Sequence, residues 1–580
     1  MYLRSDGLPS LGRPYCRTSG TKDNQRDGVP LTLVVDVIAS ALRAEGVEML
    51  SCYPTTPMID AATRAGIRPV VCRQERVGVG IADGYSRVTA GDGFGVFAMQ
   101  FGPGAENAFP GIASAFSDGI PMLLLPLGNS LDRAQMRPLF DAAAAYAPVT
   151  TFYEAIRRPQ DTGEVMRRAV NALRNGVPGP VMVEIPADVA TMTVPDGAAT
   201  YEPVIRARSM ADPASVERVA AALGAARRPL IVAGRGVLAA GAAGELVGLA
   251  EELGLPVVTT LGGKSAIAET HPLSVGVASV VASDPVVDVL GDADLVLALG
   301  ASLTRHFLTA RLPASASIAQ LTRDARDLNK TRHIAHPLVG DAALVLRQLR
   351  RAARDAGIDG PARAAAVAER IAKARRSWDR RWEPKLRSDE VPITPYRVLY
   401  EFMAATDPDA TVVTHDSGSP RDQIVPFYRS GGPNTYLGWG KSHALGAGLG
   451  LIMGAKLAAP DRFCVAFVGD AAFGMTGLDI ETAQRAGVAI ALVVLNNATM
   501  AIEIPNMLES HERHRARDIG GDYAGIARAL GVEALRVREP GELRPAFEQA
   551  QQVTATGRCI VIEVITSAET DFANRRVLSE

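Results

Sequence analysis

Short unbroken apolar runs recur along the chain, separated by stretches in which apolar positions return every three or four residues. The first kind reads as strands buried on both faces, as in parallel sheets, and the second as amphipathic helices. Between residues 30 and 199 this pattern predicts helices over 34–45 and 76–89, and strands over 49–53, 70–71, 94–100, 122–127 and 181–185. It repeats over 212–350, with helices at 214–224 and 243–253 and strands at 229–233, 257–260 and 294–299. In 393–575 it gives helix 396–405 and strand 411–414. Strand 462–468 follows, then a Gly-Asp turn, a helix carrying Glu481, and strand 489–495 running into Asn496-Asn497. Such alternation builds α/β, doubly wound domains with central, mainly parallel sheets, and three are predicted. Residues 200–211 read as a polar linker, and 351–392 as a charged helical linker whose Trp378 and Trp382, four apart, pack inward. Residues 1–29 are polar and lack the apolar segment of a secretory signal, so they read as a disordered leader.

A length of 580 residues is too great for one core and agrees with several domains. The net charge of −2 gives no nucleic-acid footprint, which also argues against reading the Arg-rich linker as a binding patch. No run is long and apolar enough to span a membrane: 120–127 is too short, and 444–460 is Gly-rich and carries Lys456. Cys16, Cys52, Cys72, Cys464 and Cys559 show no metal-type spacing, and three of them sit in strand-like runs. They read as core residues of a cytoplasmic protein.

Chemistry concentrates at strand ends, where ligands of parallel α/β units sit. Asp470 follows one buried strand and Asn497 the next. A carboxylate plus a neutral amide oxygen suits a hard cation, and Mg²⁺ takes few protein carboxylates together with phosphate oxygens. The pair therefore suggests Mg²⁺ bridging protein to a diphosphate, against the plainer alternative of a Gly-Asp turn and an Asn cap. Glu75 stands at another strand end, directly before a small-residue apolar helix. Burial there would raise its pKa and fit it to share a proton with a ring nitrogen, whereas a helix first-turn Glu favoured by the dipole is the simpler reading. The Ser/Gly loop at 415–419 can present N–H groups to phosphate, or merely turn the chain. Gly234-Arg235-Gly236 is a fragment of a dinucleotide fingerprint without its third glycine.

The stretch Val468-Gly469-Asp470-Ala471-Ala472-Phe473, closed by Leu495-Asn496-Asn497, resembles the signature of thiamine-diphosphate (ThDP) enzymes, with Ala471 where that signature has a second Gly. Upstream, Glu75 falls eight positions before Asp83 in Ala82-Asp83-Gly84-Tyr85-Ser86-Arg87. Gly102-Pro103-Gly104-Ala105-Glu106-Asn107, Gly176-Val177-Pro178-Gly179-Pro180-Val181 and Glu184-Ile185-Pro186 follow in order. Together these resemble the pyrimidine-binding domain of the acetolactate synthase and 2-oxo acid decarboxylase group. The resemblance implies a pyrimidine-binding domain (30–199), a central domain (212–350) and a diphosphate- and Mg²⁺-binding domain (393–575). It makes Glu75 the activator of the aminopyrimidine N1′. Asp470, Asn497 and the backbone carbonyl of Thr499 become Mg²⁺ ligands, and Leu445 the apolar residue that bends the cofactor. By the same resemblance Tyr53, Pro54, Gly102 and Asn107 contact the cofactor from the first domain. Asp416, Ser417, Gly418, Gly469, Ala471, Ala472 and Met500 do so from the last. Glu503, in Ile502-Glu503, matches a Glu that handles protons in pyruvate decarboxylases. Those enzymes also use paired His, which have no counterpart where this chain reads Asn129-Ser130-Leu131-Asp132-Arg133.

The implied activity is decarboxylation of a 2-oxo acid followed by addition to a second carbonyl, with donor and acceptor left open. A non-ligating decarboxylase is the alternative within this chemistry. Outside it stand an FAD- or NAD-dependent oxidoreductase and a catalytically silent protein of the same fold. FAD occupies the central domain of some members of the group; here a purely structural central domain is favoured. The group further implies a homodimer or homotetramer, with the site between the first domain of one subunit and the last of another.

Overall fold

The computed structural model describes residues 32–578 apart from 135, 359 and 576; the expected leader 1–29 and Cys16 lie outside the described residues. The chain forms three α/β domains, each built on a sheet of six parallel strands. The first contains β1 (Met49–Cys52), β2 (Arg68–Val71), β3 (Gly95–Met99), β4 (Met122–Gly128), β5 (Phe152–Ala155) and β6 (Pro180–Pro186), in the order β2-β1-β3-β4-β6-β5. The central domain has β7 (Pro229–Ala233), β8 (Val257–Thr259), β9 (Ser274–Val277), β10 (Leu295–Leu299), β11 (Ser317–Thr322) and β12 (His336–Val339). Their order is β12-β11-β10-β7-β8-β9, the doubly wound dinucleotide-fold arrangement. The last domain has β13 (Thr411–His415), β14 (Tyr436–Leu437), β15 (Phe463–Gly469), β16 (Ala491–Asn496), β17 (Glu533–Val537) and β18 (Ile560–Ile565). Its order, β14-β13-β15-β16-β18-β17, reproduces that of the first domain strand for strand.

Each sheet is coated on both faces, which is why its central strands read as unbroken apolar runs. Strand β4, for example, is buried at every position. One of these cores is shared between domains: Val70, Val77 and Ile81 of the first domain pack with Leu449, Ile452 and Cys464 of the last. The predicted strands do not include β5, β9, β11, β12, β14, β17 or β18: β14 is two residues long, β5, β12 and β17 are mostly half-buried or exposed, and Gln320 and Glu563 interrupt the apolar runs of β11 and β18.

Two helices at equivalent positions in the first and last domains cross at this shared core. Helix Glu75–Val88 follows β2 and helix Gly448–Ala458 follows β14. Small residues let the backbones touch: a Cβ on Gly80 would lie 3.0 Å from the Gly450 Cα, and one on Gly84 or Gly454 would overlap the carbonyl of Leu451 or Ile81. This is the physical reason for the glycines in Ala82-Asp83-Gly84. In the same motif Arg87 binds Asp83 (2.6 Å), Asp118 (2.9 Å) and the Gly438 carbonyl (3.0 Å), so it ties the first domain to the last. Burial pushes the Asp83 carboxyl up, with the adjacent Arg87 guanidinium opposing that shift.

The Gly-rich segment from 440 turns until Gly448, where its helix begins, with Gly440 and Gly446 at positive φ (+149° and +83°). Helix Pro361–Leu386 is the charged connector, and its Trp378 and Trp382 are buried against Phe427 and Tyr396. No helix among the described residues is long and apolar enough to cross a membrane.

Candidate active site

The metal-type residues occupy adjacent strand ends. Asp470 opens helix Asp470–Thr476 directly after β15, with Gly469 at its N-cap, and Asn497 follows β16. Neighbouring parallel strands in register, Gly469 opposite Leu495, bring them together. Oδ1 of Asp470 accepts from the Ala471 N–H at 2.8 Å, whereas Oδ2 is buried with no hydrogen-bond partner. Burial pushes this carboxyl up to about 6, against the pull of backbone N–H groups of Ala471 and of residues 497–499. An orphaned carboxylate oxygen costs free energy unless something positive meets it.

The loop around it is held by side chains. Asn497 Oδ1 accepts from the Thr499 N–H (3.1 Å), and Asn496 Oδ1 from the Ala498 N–H (3.1 Å). Between these two turns Ala498 adopts φ +55°, a left-handed conformation costly for a residue with a Cβ. Asn496 is anchored in turn by Glu563 of β18 (2.7 Å), a buried carboxylate that also accepts from the Ala524 N–H (3.0 Å) and Arg536 (2.9 Å). The sequence reading passed over Glu563, although a charge in the middle of an apolar run was a usable signal. The Thr499 carbonyl accepts from the Ala501 N–H (2.9 Å) and keeps a second lone pair. Met500, half-buried, bonds back to Arg517 through its N–H (2.9 Å), and Glu503 receives the Asn506 amide (3.0 Å).

On the neighbouring strand β13, Asp416 is buried and fully engaged. Its Oδ1 accepts from the N–H groups of Ser417 (2.7 Å) and Gly446 (2.9 Å), and Oδ2 from Gly448 (2.8 Å). The carboxylate thus stitches the β13 loop to the start of helix Gly448–Ala458 and fixes the turn that carries Leu445. Gly418 lies beyond it at φ +89° with open space where a Cβ would be. Ala472 is buried and Ala471 half-buried.

The other half of the candidate site belongs to the first domain. Glu75 is 4% exposed at the start of its helix. Burial raises its carboxyl, and its own N–H and the Asn107 side chain offset part of the shift. A Cβ on Gly104 would stand 3.5 Å from Glu75 Oε1, so Gly104 and Asn107 of helix Pro103–Asp118 form one wall of its pocket. Gly102, at φ +55°, leaves open space beside it, and half-buried Tyr53 and exposed Pro54 lie past the end of β1.

Within one chain the halves abut without merging. Arg73 donates through its N–H to Asp479 (2.8 Å), and Arg76 to the Leu445 carbonyl (3.2 Å). No hydrogen bond among the described residues joins Glu75 to Asp470 or to the 496–499 loop. In the central domain, Gly234 and Gly236 press against the Gly300 backbone, where a Cβ on Gly236 would come within 2.7 Å of its Cα. Arg235 is half-buried and reaches the Asp118 carbonyl (3.2 Å) of the first domain. These glycines therefore have a packing reason of their own.

Three family models match the chain in order. Residues 33–145 match the thiamine pyrophosphate enzyme N-terminal TPP binding domain, 216–349 the central domain, and 416–564 the C-terminal TPP binding domain. Similar proteins include a probable acetolactate synthase large subunit of Methanococcus aeolicus, 27% identical with 89% of each chain covered. A probable acetolactate synthase of Mycobacterium bovis is 29% identical over 94% of this chain and 97% of its own. A sulfoacetaldehyde acetyltransferase of Alcaligenes xylosoxydans xylosoxydans is 28% identical over 89% and 90%.

Proposed function

Because the chain belongs to the thiamine pyrophosphate enzyme family, we propose that it is a Mg²⁺-dependent carboligase of the acetolactate-synthase-like group, acting on a 2-oxo acid. The observation that carries the metal is the orphaned Asp470 Oδ2, buried at the end of the strand next to the one that leads into Asn497 and Thr499. That donor set fits Mg²⁺ completed by diphosphate oxygens. Asp470, Asn497 and the Thr499 carbonyl would hold the ion. Gly418 and the N–H groups of the 469–472 turn would face the diphosphate. When bound, ThDP supplies a nucleophilic carbon and an electron sink for decarboxylation.

The residues prepare that chemistry. Glu75, buried and with its carboxyl raised from the ordinary range, stands where it would share a proton with an aminopyrimidine nitrogen. Asn107 fixes the carboxyl against Gly104, and Leu445 offers an apolar shoulder between the two halves. Glu503, in the 3-10 turn Ala501–Glu503 that follows the metal loop, is a second proton-handling group.

We infer a homodimer in which the first domain of one subunit closes on the last domain of another. An exposed apolar stripe agrees with this: Phe101, Phe109 and Phe116 on the first domain, and Met475 and Leu478 on the last, are 37–55% exposed. The buried free thiols Cys52, Cys72, Cys464 and Cys559 support a cytoplasmic setting.

The test is CO₂ release from pyruvate with ThDP and Mg²⁺ supplied, followed by product analysis. Acetolactate is expected. Acetaldehyde alone would convert the reading to a plain decarboxylase, and release only from other 2-oxo acids, or turnover of sulfoacetaldehyde, would move the donor.

A further inference from the structure

A cavity of about 530 Å³ lies where three parts of the chain meet: the edge strand β9 of the central domain, the connector helix Pro361–Leu386, and helix Pro395–Ala405 with the 425–429 segment of the last domain. None of its lining residues belongs to either half of the candidate active site. The volume is that of a site for a small organic molecule.

Its walls are apolar and aromatic. Trp378 stacks on Phe427 with ring centroids 5.2 Å apart, and Val275, Val277 and Met403 complete the floor. Tyr400 stands at the side with the Arg387 guanidinium 5.3 Å from its ring.

The charges inside do not balance. Arg429 is matched by Asp379 (2.8 Å to each oxygen), and Arg387 by Glu383 (3.5 Å). Glu269 is taken by the buried Lys264 and by the Ser430 N–H (3.1 Å). Arg375 and Arg380 are left without a carboxylate in ion-pair contact among the described residues. The hydrogen bond of Arg375 goes to the Ser274 carbonyl (2.6 Å). Burial, with Arg429 nearby, pulls the Arg375 pKa down; Glu269 and Asp379 oppose that shift from beyond ion-pair contact, each being bonded to another cation. A half-buried guanidinium with free N–H groups, facing an aromatic wall, is a receptor for an oxyanion.

We propose that this cavity binds a small aromatic oxyanion, a planar ring system carrying one carboxylate, sulfonate or phosphate group. Arg375 takes the charged end, and Trp378, Phe427 and Tyr400 take the ring. Because the walls come from the central domain, the connector and the last domain, the bound molecule locks their relative position and raises the unfolding temperature by mass action.

The test uses the full chain and two dyes that differ by one sulfonate, 8-anilinonaphthalene-1-sulfonate and its neutral counterpart N-phenyl-1-naphthylamine. Saturable binding of the sulfonate at one site per chain is expected, at least about tenfold tighter than the neutral dye. Arg375→Gln should erase that difference, and Met403→Trp, which fills the cavity, should remove both dyes, with CO₂ release unchanged in each variant. Arg380→Gln changes an exposed side chain, is safe for folding, and should weaken the sulfonate alone. Equal affinity for the two dyes in the parent protein would overturn the proposal. So would sulfonate binding that survives Met403→Trp, or that ignores both arginine variants.

Discussion

The first and last domains carry the same six-strand order and cross through equivalent helices, yet they present opposite chemistry. After the third strand of each sheet the chain turns into a helix: through Gly102 and Pro103 in one domain, and through Gly469 and Asp470 in the other. The same position is open space beside Gly102 in the first and a carboxylate with an orphaned oxygen in the second. The helix after the second strand starts with a buried acid, Glu75, in the first domain. In the last it starts with Gly448, whose N–H is spent on Asp416. One fold thus places a buried acid in one domain and a carboxylate with an orphaned oxygen in the other, and the difference resides in a few residues at strand ends.

That contrast predicts separable losses. Glu75→Gln should lower turnover by roughly 10²–10⁴-fold while leaving ThDP affinity near the parent value, as single-turnover kinetics beside calorimetry would show. Parent-like turnover in that variant would end the assignment. Asp470→Ala should do the reverse on the binding side, weakening Mg²⁺-dependent ThDP affinity by about 100-fold or more. An unchanged affinity would place the ion elsewhere.

Gly84→Ala strikes the shared helix crossing, where the new Cβ overlaps the Leu451 carbonyl. It should cost about 1–3 kcal/mol in urea unfolding, and a cost near zero would mean that the crossing is loose. A pH effect is expected from the last domain. His415 is fully buried, stacked on Trp439 at 5.3 Å, and burial pulls its pKa down to about 3 from 6.5. The native state therefore binds fewer protons than the unfolded one between these values. Stability present above pH 6.5 should fall as pH drops through that window, by at most about 1.4 kcal/mol per unit. His415→Gln should flatten the slope of the urea midpoint against pH. The smallest effect is expected of Ala471→Gly, which loosens the first turn of a helix by about 0.5–1 kcal/mol; a larger shift in ThDP affinity would show that the Ala471 methyl crowds the diphosphate.

Central strands such as β4 and β16 were legible because burial on both faces leaves an unbroken apolar run, whereas β11 and β18, also inside their sheets, carry Gln320 and Glu563 in the run and were not. The short β14 and half-buried β5 carried no such run and went unseen. Asp470, Asn497 and Glu75 were readable because each stands at a strand end beside a turn, a feature local in sequence. Glu563, 67 residues from the Asn496 it anchors, was not read, since its role exists only where β18 lies beside β16. Asp416 likewise turned out to brace Gly446 and Gly448, because only folding brings those N–H groups within reach of its carboxylate.

By itself, then, the sequence determined three parallel α/β domains and the residue types that hold a cofactor, since periodicity and turn chemistry act over a few residues. Tertiary structure alone decided that two domains repeat one topology, that glycines at 80, 84 and 450 serve a helix crossing, and that Arg375 faces a cavity without a counter-charge. Those outcomes depend on which distant surfaces meet, and close packing between them is not encoded by the spacing of residues along the chain.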